Sequence, residues 1–188
     1  RVTPKTKMLI FTNPNNPTGT VYTRSTMEKV ADFCKRHNLI CVVDQCFADT
    51  AFDGYEYTHM MTLPGMFERT ITIDSISKNM GLCGFRVAYV VAPEEVTDVL
   101  ESTAVYFLGA TNTMAQAGII AALDNTRFIE DMRQEWMTRA RILGEILDTV
   151  PHIKYVKPQS GFFFWVDVSY YGTDQEVVSY LAENTNVL

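Results

Sequence analysis

Histidine is scarce in this chain: His37, His59 and His152 stand far apart in 188 residues. The four cysteines, Cys34, Cys41, Cys46 and Cys83, form no CxxC pair. The sequence therefore offers no zinc-ligand spacing, and no metal site is expected. Cys41 lies in an apolar run, where a reduced, packed thiol is expected, and a cytoplasmic location follows as the default. No apolar stretch reaches the roughly 18 residues that a membrane span needs. The N-terminus shows no signal-peptide pattern, so no membrane partner is expected. Basic residues are outnumbered, 16 Lys and Arg against 22 Asp and Glu, for a net charge of −6. Such a surface is not built to neutralise nucleic-acid phosphates, and no nucleic-acid partner is expected. Charge blocks, internal repeats and low-complexity segments are likewise missing.

Hydrophobic residues at 47% and charged residues at 20% describe a soluble globular chain. Its length suits one domain, or one domain plus part of another. The chain opens at Arg1 without a methionine and stops at Asn186-Val187-Leu188, an apolar run barely begun. Both ends read as cuts through a longer protein.

Strands alternate with helices in the first half. Met8 to Phe11 is an apolar run closed by turn formers from Thr12 to Gly19. A helix follows, with Ser25 and Glu28 at capping-box spacing and Met27, Val30, Ala31 and Cys34 on one face. It should stop near His37-Asn38. Leu39 to Val43 reads as a buried strand ending at Asp44, Thr70 to Ile73 as another, and Val87 to Val91 as a further one stopped by Pro93. Helices are then predicted over 93–106, 112–123 and 126–149, the last closed by Pro151. Beyond it come strands over 153–156 and 161–168 and a helix over 173–183. The fold class is α/β: a mostly parallel sheet with flanking helices, then part of a small α+β domain. The expected division is a partial large domain over 1–125, a long connecting helix over 126–150 and a partial small domain over 151–188.

Asn13 to Asn16 follows one strand, Asp44 ends the next, and Ser75 to Lys78 follows a third. If these strands are parallel, all three groups share the carboxyl-end rim, where open α/β sheets bind ligands. Polar turns after strands are common, but three converging groups carry more weight than one. The residue types suit pyridoxal phosphate. That cofactor needs a lysine for a Schiff base and an acid facing its pyridine nitrogen. It also needs a donor for its ring hydroxyl and a cationic, hydroxyl-rich cradle for its phosphate. Lys78, Asp44, Asn16, Ser75, Ser77 and Arg86 supply these groups.

At these residues the sequence resembles a family. Asn13-Pro14-Asn15-Asn16-Pro17-Thr18-Gly19 is similar to the NPxNPTG signature of class I/II aminotransferases, the fold-type-I pyridoxal-phosphate enzymes. Ser75-Ile76-Ser77-Lys78, with Gly81, Gly84 and Arg86 following, is similar to their SxSKxxGxxGxR segment. The resemblance continues in order through Met114-Ala115-Gln116-Ala117 and Pro158-Gln159-Ser160-Gly161-Phe162-Phe163. It implies amino-group exchange between an amino acid and a 2-oxo acid, in a full-length homodimer. It further implies that Lys78 forms the internal aldimine and moves the substrate α-proton. Asp44 would pair with the pyridinium and Asn16 would bond the ring hydroxyl. Ser75, Ser77 and Arg86 would bind phosphate, with Thr111 and Asn112 where a neighbouring subunit's loop approaches. The family's glycine-rich phosphate loop and its substrate-clamping arginine would lie outside this chain, so the fragment alone is expected to be inactive.

Two departures stand out. The family usually has tyrosine three positions after the aspartate, and Phe47 stands there; phenylalanine keeps the ring but cannot donate. Gln45 replaces what is often an acidic residue. Phe47 keeps carbon–sulfur lyase and decarboxylase chemistry in view beside transamination, and a non-catalytic regulatory domain is a third reading. The ordinary alternatives are a solvated surface lysine at Lys78, a cap or turn residue at Asp44 and a salt-bridge partner at Arg86. The aromatic run Phe162 to Trp165 reads as small-domain core with one face edging the substrate pocket, and Tyr22, Phe85 and Tyr106 as cleft-lining or packing residues.

Overall fold

In a computed structural model that describes residues 2–186, β1 (Met8–Thr12), β2 (Ile40–Asp44) and β3 (Thr70–Ser75) lie side by side and parallel. β4 (Ala88–Val91) pairs antiparallel with β3, giving the order β1-β2-β3-β4. Arg1, Val187 and Leu188, on which the reading of cut ends partly rests, lie outside the described residues. The sheet is mostly parallel, as its alternating elements predict. β4 reverses because the chain turns back through α2 (Ile76–Asn79), with Gly81 at φ 64°.

α1 (Arg24–Arg36) connects β1 to β2. Its Met27, Ala31 and Cys34 are buried at helical spacing, and they pack with Leu39, Cys41, Val43, Met60, Leu63 and Met66. The expected Ser25/Glu28 capping box does not form. Thr23 is the N-cap, accepting from the Thr26 backbone N–H at 3.3 Å, and Glu28 pairs instead with Arg24 at 3.0 Å. Thr23 is preferred because its extended backbone aims the hydroxyl at the free N–H groups of the first turn. Beyond α1, Asn38 takes φ 48°, which ends the helix where the sequence places the stop.

The register puts Leu9, Phe11, Cys41 and Val43 on the α1 face of the sheet. The opposite face carries Met8, Ile10 and Ile40, all exposed, and at its carboxyl end Asp44 and Ser75. A second core joins Ile76, Met80 and Val87 to Ala115 of α4 (Thr113–Leu123), flanked by Phe128 of α5 (Arg127–Leu147). α3 (Glu94–Phe107) buries none of its described residues, and Tyr106 is 87% exposed, so Tyr106 is not a packed side chain.

β5 (Lys154–Val156) and β6 (Trp165–Asp167) form a separate antiparallel pair, followed by α6 (Asp174–Asn184) with a reciprocal Thr173/Glu176 capping box. The strand expected over 161–168 is shorter, because Gly161 sits at φ 71° and breaks the extended run. The aromatic run is also not core throughout: Phe162 is 49% and Trp165 55% exposed. A two-stranded ribbon has too little surface to cover both of its faces.

Gln159 fastens this part of the chain to the sheet. Its backbone N–H donates to the Gly19 carbonyl at 2.9 Å, and its own carbonyl accepts from Phe52 at 2.8 Å. Its Oε1 accepts from the Val21 N–H at 2.8 Å. Next to it, the Ser160 hydroxyl donates to the Phe47 carbonyl at 2.9 Å. A Cβ at Gly161 would stand 3.0 Å from the Phe47 ring, whereas one at Gly54 (φ 86°) would meet nothing within 4 Å. Gly54→Ala is therefore expected to cost only the conformational ~1–2 kcal/mol. Gly161→Ala should cost about 1–3 kcal/mol more through overpacking. Denaturant unfolding of the two variants checks the difference; equal losses would mean that the Phe47 contact is soft.

Candidate active site

The candidate residues sit where the three parallel strands end. The loop after β1 is closed mainly by its own polar groups. Asn15 Oδ1 accepts from the Thr18 hydroxyl at 2.7 Å, and the Gly19 N–H donates to the Asn15 carbonyl at 2.7 Å. Asn13 is fully buried; its N–H donates to the Asp44 carbonyl at 3.0 Å and its Oδ1 accepts from the Tyr22 N–H at 2.8 Å. Asn13 thereby anchors the loop to the end of β2, and the Asn16 side chain is left exposed at the rim. Tyr22 stacks on Phe11 with centroids 6.1 Å apart, which is packing.

Asp44 is half-buried, and one carboxylate oxygen accepts from the Cys46 N–H at 3.0 Å. Burial, and then the neighbouring Asp44, push the Cys46 thiol up to about 12, so it stays protonated and is no nucleophile at neutral pH. Ser75 caps α2: its Oγ accepts from the Ser77 N–H at 3.1 Å, and its hydroxyl donates to the Val87 carbonyl at 3.3 Å. The register aligns Asp44 with Ile73, so Asp44 and Ser75 share one face of the sheet.

Lys78 and Ser77, one turn further on, are half-buried. Among the described residues the Lys78 ammonium makes no ion pair; it lies 5.2 Å from the centroid of the Phe162 ring. Phe162 is held by Trp136 at 5.0 Å and by Phe47 at 5.6 Å, both edge-on. Arg86 is exposed and left-handed at φ 55°, and one guanidinium N–H donates to the Cys83 carbonyl at 2.8 Å. A non-glycine residue in that conformation is costly and is held here by the turn that contains Cys83. Asn112 is the N-cap of α4, accepting from Ala115 at 3.0 Å, and Thr111 precedes it.

Sequence reasoning missed the polar residues around this rim. Asp74 is 3% exposed, on the face opposite Ser75. Burial pushes its pKa up, against hydrogen bonds from Gln45, the Ser75 backbone and Tyr89 that hold it down. Asn79, next to Lys78, donates to Asp49 at 2.7 Å, while its buried Oδ1 has no hydrogen-bond partner among the described residues. A buried acid in a β-strand carries no periodic signal. The one available cue was an acid, Asp74, at a position where alternation places side chains in the core.

The model for aminotransferase class I and II matches residues 1–188. Among curated relatives, the aromatic-amino-acid aminotransferase 2 of Thermococcus litoralis is 34% identical over 167 residues, spanning 87% of this chain and 43% of the relative. A probable aspartate/prephenate aminotransferase of Aquifex aeolicus is 29% identical over 195 residues, spanning 100% of this chain and 50% of the relative. The crystal structure of an aromatic aminotransferase from Pyrococcus horikoshii superposes with a TM-score of 0.90 at 31% identity, covering 97% of this chain and 50% of that one. The chain thus spans about half the length of the relatives it matches. With its motifs in order and its strands in the matching arrangement, the chain belongs to the class I and II aminotransferase family.

Proposed function

We propose that the full-length protein containing this chain transfers amino groups between an amino acid and a 2-oxo acid, with pyridoxal 5'-phosphate bound through Lys78. The observation that carries this reading is a half-buried lysine without an ion pair among the described residues, at the same rim as an acid and a hydroxyl that share one face of a mostly parallel sheet. The donor set fits the cofactor: an amine, a carboxylate, an exposed amide and two hydroxyls at or just beyond the carboxyl ends of β1, β2 and β3, and a guanidinium just before the amino end of the antiparallel β4, which pairs with the carboxyl end of β3. When bound, the cofactor supplies an electron sink for the bonds at the substrate α-carbon.

The chain's own residues have separable tasks. Asp44 keeps a proton on the pyridine nitrogen, its carboxylate steadied by the Cys46 N–H. Asn16 donates to the ring hydroxyl. Arg86 and Ser77 receive the phosphate, and Ser75 joins them when its hydroxyl turns from the Val87 carbonyl; the Arg86 guanidinium commits one N–H to Cys83, and the residue is exposed. The Lys78 amine takes and returns the α-proton, and the Phe162 ring gives its ammonium a seat between those events. We place residues 1–125 in the large domain, 126–150 in a connecting helix and 151–188 in a small domain, Thr111 and Asn112 at a subunit boundary, and the protein in a homodimer. The exposed apolar side chains of Tyr106, Phe107, Leu108 and Met114 beside those two residues support the last point. A reducing cytoplasm suits four unpaired cysteines. Phe47 is the feature that favours a lyase or decarboxylase outcome on the same scaffold.

The test uses the full-length protein with added pyridoxal phosphate. A visible band of lysine-bound cofactor is expected in wild type and should be lost in Lys78→Ala; identical spectra would remove the reading. Product analysis with paired amino and 2-oxo acids then separates transfer from lysis or decarboxylation. Phe47→Tyr adds a donor for the ionised ring oxygen, which favours the deprotonated linkage and lowers its pKa. The band of the protonated form should then fade about 1–2 pH units lower than in wild type, the size of a hydrogen bond to a charged group. An unmoved midpoint would show that position 47 does not reach the ring oxygen.

A further inference from the structure

We infer that Gln45 and Asp74 are positioning residues: they form a hydrogen-bonded latch on the reverse face of the sheet that fixes the spacing of Asp44 and Lys78. The inference rests on the reading above, that Asp44 and Lys78 serve one cofactor.

The backbone ladder between β2 and β3 ends at the rim. Its last rung is the Gln45 N–H donating to the Ile73 carbonyl at 2.9 Å. Beyond it, β3 turns into α2 and the chain after β2 turns away, so the backbone no longer ties Asp44 to the Lys78 segment. Side chains take over. Gln45 Nε2 donates to Asp74 Oδ2 at 3.1 Å, and both residues are buried. Each is the immediate chain neighbour of a candidate cofactor residue, Gln45 of Asp44 and Asp74 of Ser75. Alternation sends each pair to opposite faces, so tension in the latch acts directly on the spacing across the sheet.

The latch extends to two more segments. Asp74 Oδ2 also accepts from the Tyr89 hydroxyl of β4 at 3.0 Å, and Oδ1 accepts from the Ser75 N–H at 2.7 Å. Gln45 Oε1 accepts from the Tyr57 hydroxyl at 3.2 Å and lies 3.2 Å from His59 Nδ1. Hydrogen bonds run one way, from Tyr57 and His59 through Gln45 to Asp74, which Tyr89 meets from the other side. The amide at 45 donates to an acid and accepts from a phenol at once, which neither a carboxylate nor an aliphatic side chain does. Asp44, Asp49, Cys46, Tyr57, Tyr89 and His59 are the titratable groups around Asp74. A second carboxylate at 45 would therefore face acids on several sides. Spacing errors near 1 Å at a reacting centre cost on the order of 100-fold.

The experiment compares wild type, Gln45→Glu, Gln45→Leu and the double variant Gln45→Glu/Asp74→Asn in the full-length protein. Three quantities are read: the Kd for pyridoxal phosphate, the pH midpoint of the visible band, and the melting temperature. Gln45→Glu should weaken cofactor binding about tenfold or more and move the midpoint, the size of a lost charge-assisted hydrogen bond. The double variant should restore both to within about threefold. In it, the amide introduced at position 74 donates to the carboxylate introduced at position 45. That carboxylate still accepts from Tyr57 and His59, while Tyr89, which meets the same atom of residue 74, accepts the second N–H of the new amide, whose oxygen keeps the Ser75 N–H. Gln45→Leu should show the same loss without repulsion, which covers the case in which Gln45→Glu fails to fold. A lower melting temperature with unchanged Kd and midpoint would reduce the pair to ordinary core support and overturn the inference. So would a double variant no better than Gln45→Glu. A wild type with no band removes the reading of the site together with the latch; a wild type with a band and an unperturbed Gln45→Glu removes the latch alone.

Discussion

Gln159 commits three polar groups to two stretches of chain, meeting the Gly19 carbonyl, the Val21 N–H and the Phe52 N–H. Two of those partners belong to the segment that follows β1 and one to the connection after β2. Ser160 adds the Phe47 carbonyl to the set. The loop bearing Asn16, the turn bearing Phe47 and the aromatic run are therefore fixed relative to one another by a single dipeptide. The net value of each bond is about 1 kcal/mol. The larger penalty lies in breaking them, because most of the groups involved are shielded from water and an unmade bond there costs its full desolvation. Gly19 and Gly161 permit this approach: both are left-handed, and a Cβ on Gly19 would come within 3.1 Å of Pro158.

With that clamp in place, the sheet has two unlike faces at its carboxyl end. One carries Asp44 and Ser75 and continues into a patch with Met8, Ile10 and Ile40 exposed. The other is dry, packed by α1 and the 57–69 connection, and ends in the Gln45–Asp74 pair. An acid in the dry face is costly in its charged form, and burial accordingly pushes the Asp74 carboxyl above the usual carboxylate range. The three donors that meet its carboxylate offset much of it, and in doing so they tie β2, β3, β4 and the 57–59 segment to one point. Asp44 and Ser75 on the wet face stand at the rim, while Gln45 and Asp74 on the dry face bond to each other, to Tyr57, His59 and Tyr89, and to the Ser75 backbone.

What the sequence made legible was whatever has a local signature. The strands, the helices and the six candidate site residues are each marked by short-range pattern or by a contiguous motif, and the elements fall within a few residues of where periodicity places them. The misses are of three kinds. The Ser25/Glu28 box was a spacing match that lost to Thr23, two positions earlier, because capping depends on backbone direction that spacing does not encode. Gln159, Ser160, Asp74 and Gln45 act across 12 to 138 positions of sequence, through pairings that exist only once the sheet is assembled. The aromatic run departs from core at Phe162 and Trp165 for a third reason. Apolarity predicts burial only if enough surface is available to cover it, and here Phe162 packs on one side while leaving the other open beside Lys78.

That half-open ring gives Phe47 its meaning. Its side chain is buried edge-on against Phe162 and Phe163, 5.6 and 5.5 Å away, and its carbonyl accepts from both Thr50 and Ser160 at 2.9 Å. An aromatic ring is thus required at this position for packing, whatever happens at the cofactor. Phenylalanine and tyrosine fill that requirement nearly equally, since they share the ring and its edge-to-face geometry. The choice between them is consequently free to be made on chemistry alone: whether a hydroxyl is delivered to the candidate cofactor site. The ring at position 47 is fixed by packing, so a hydroxyl there would bear on proton affinity at the proposed site rather than on the edge-to-face contacts, and this chain carries the version without the donor.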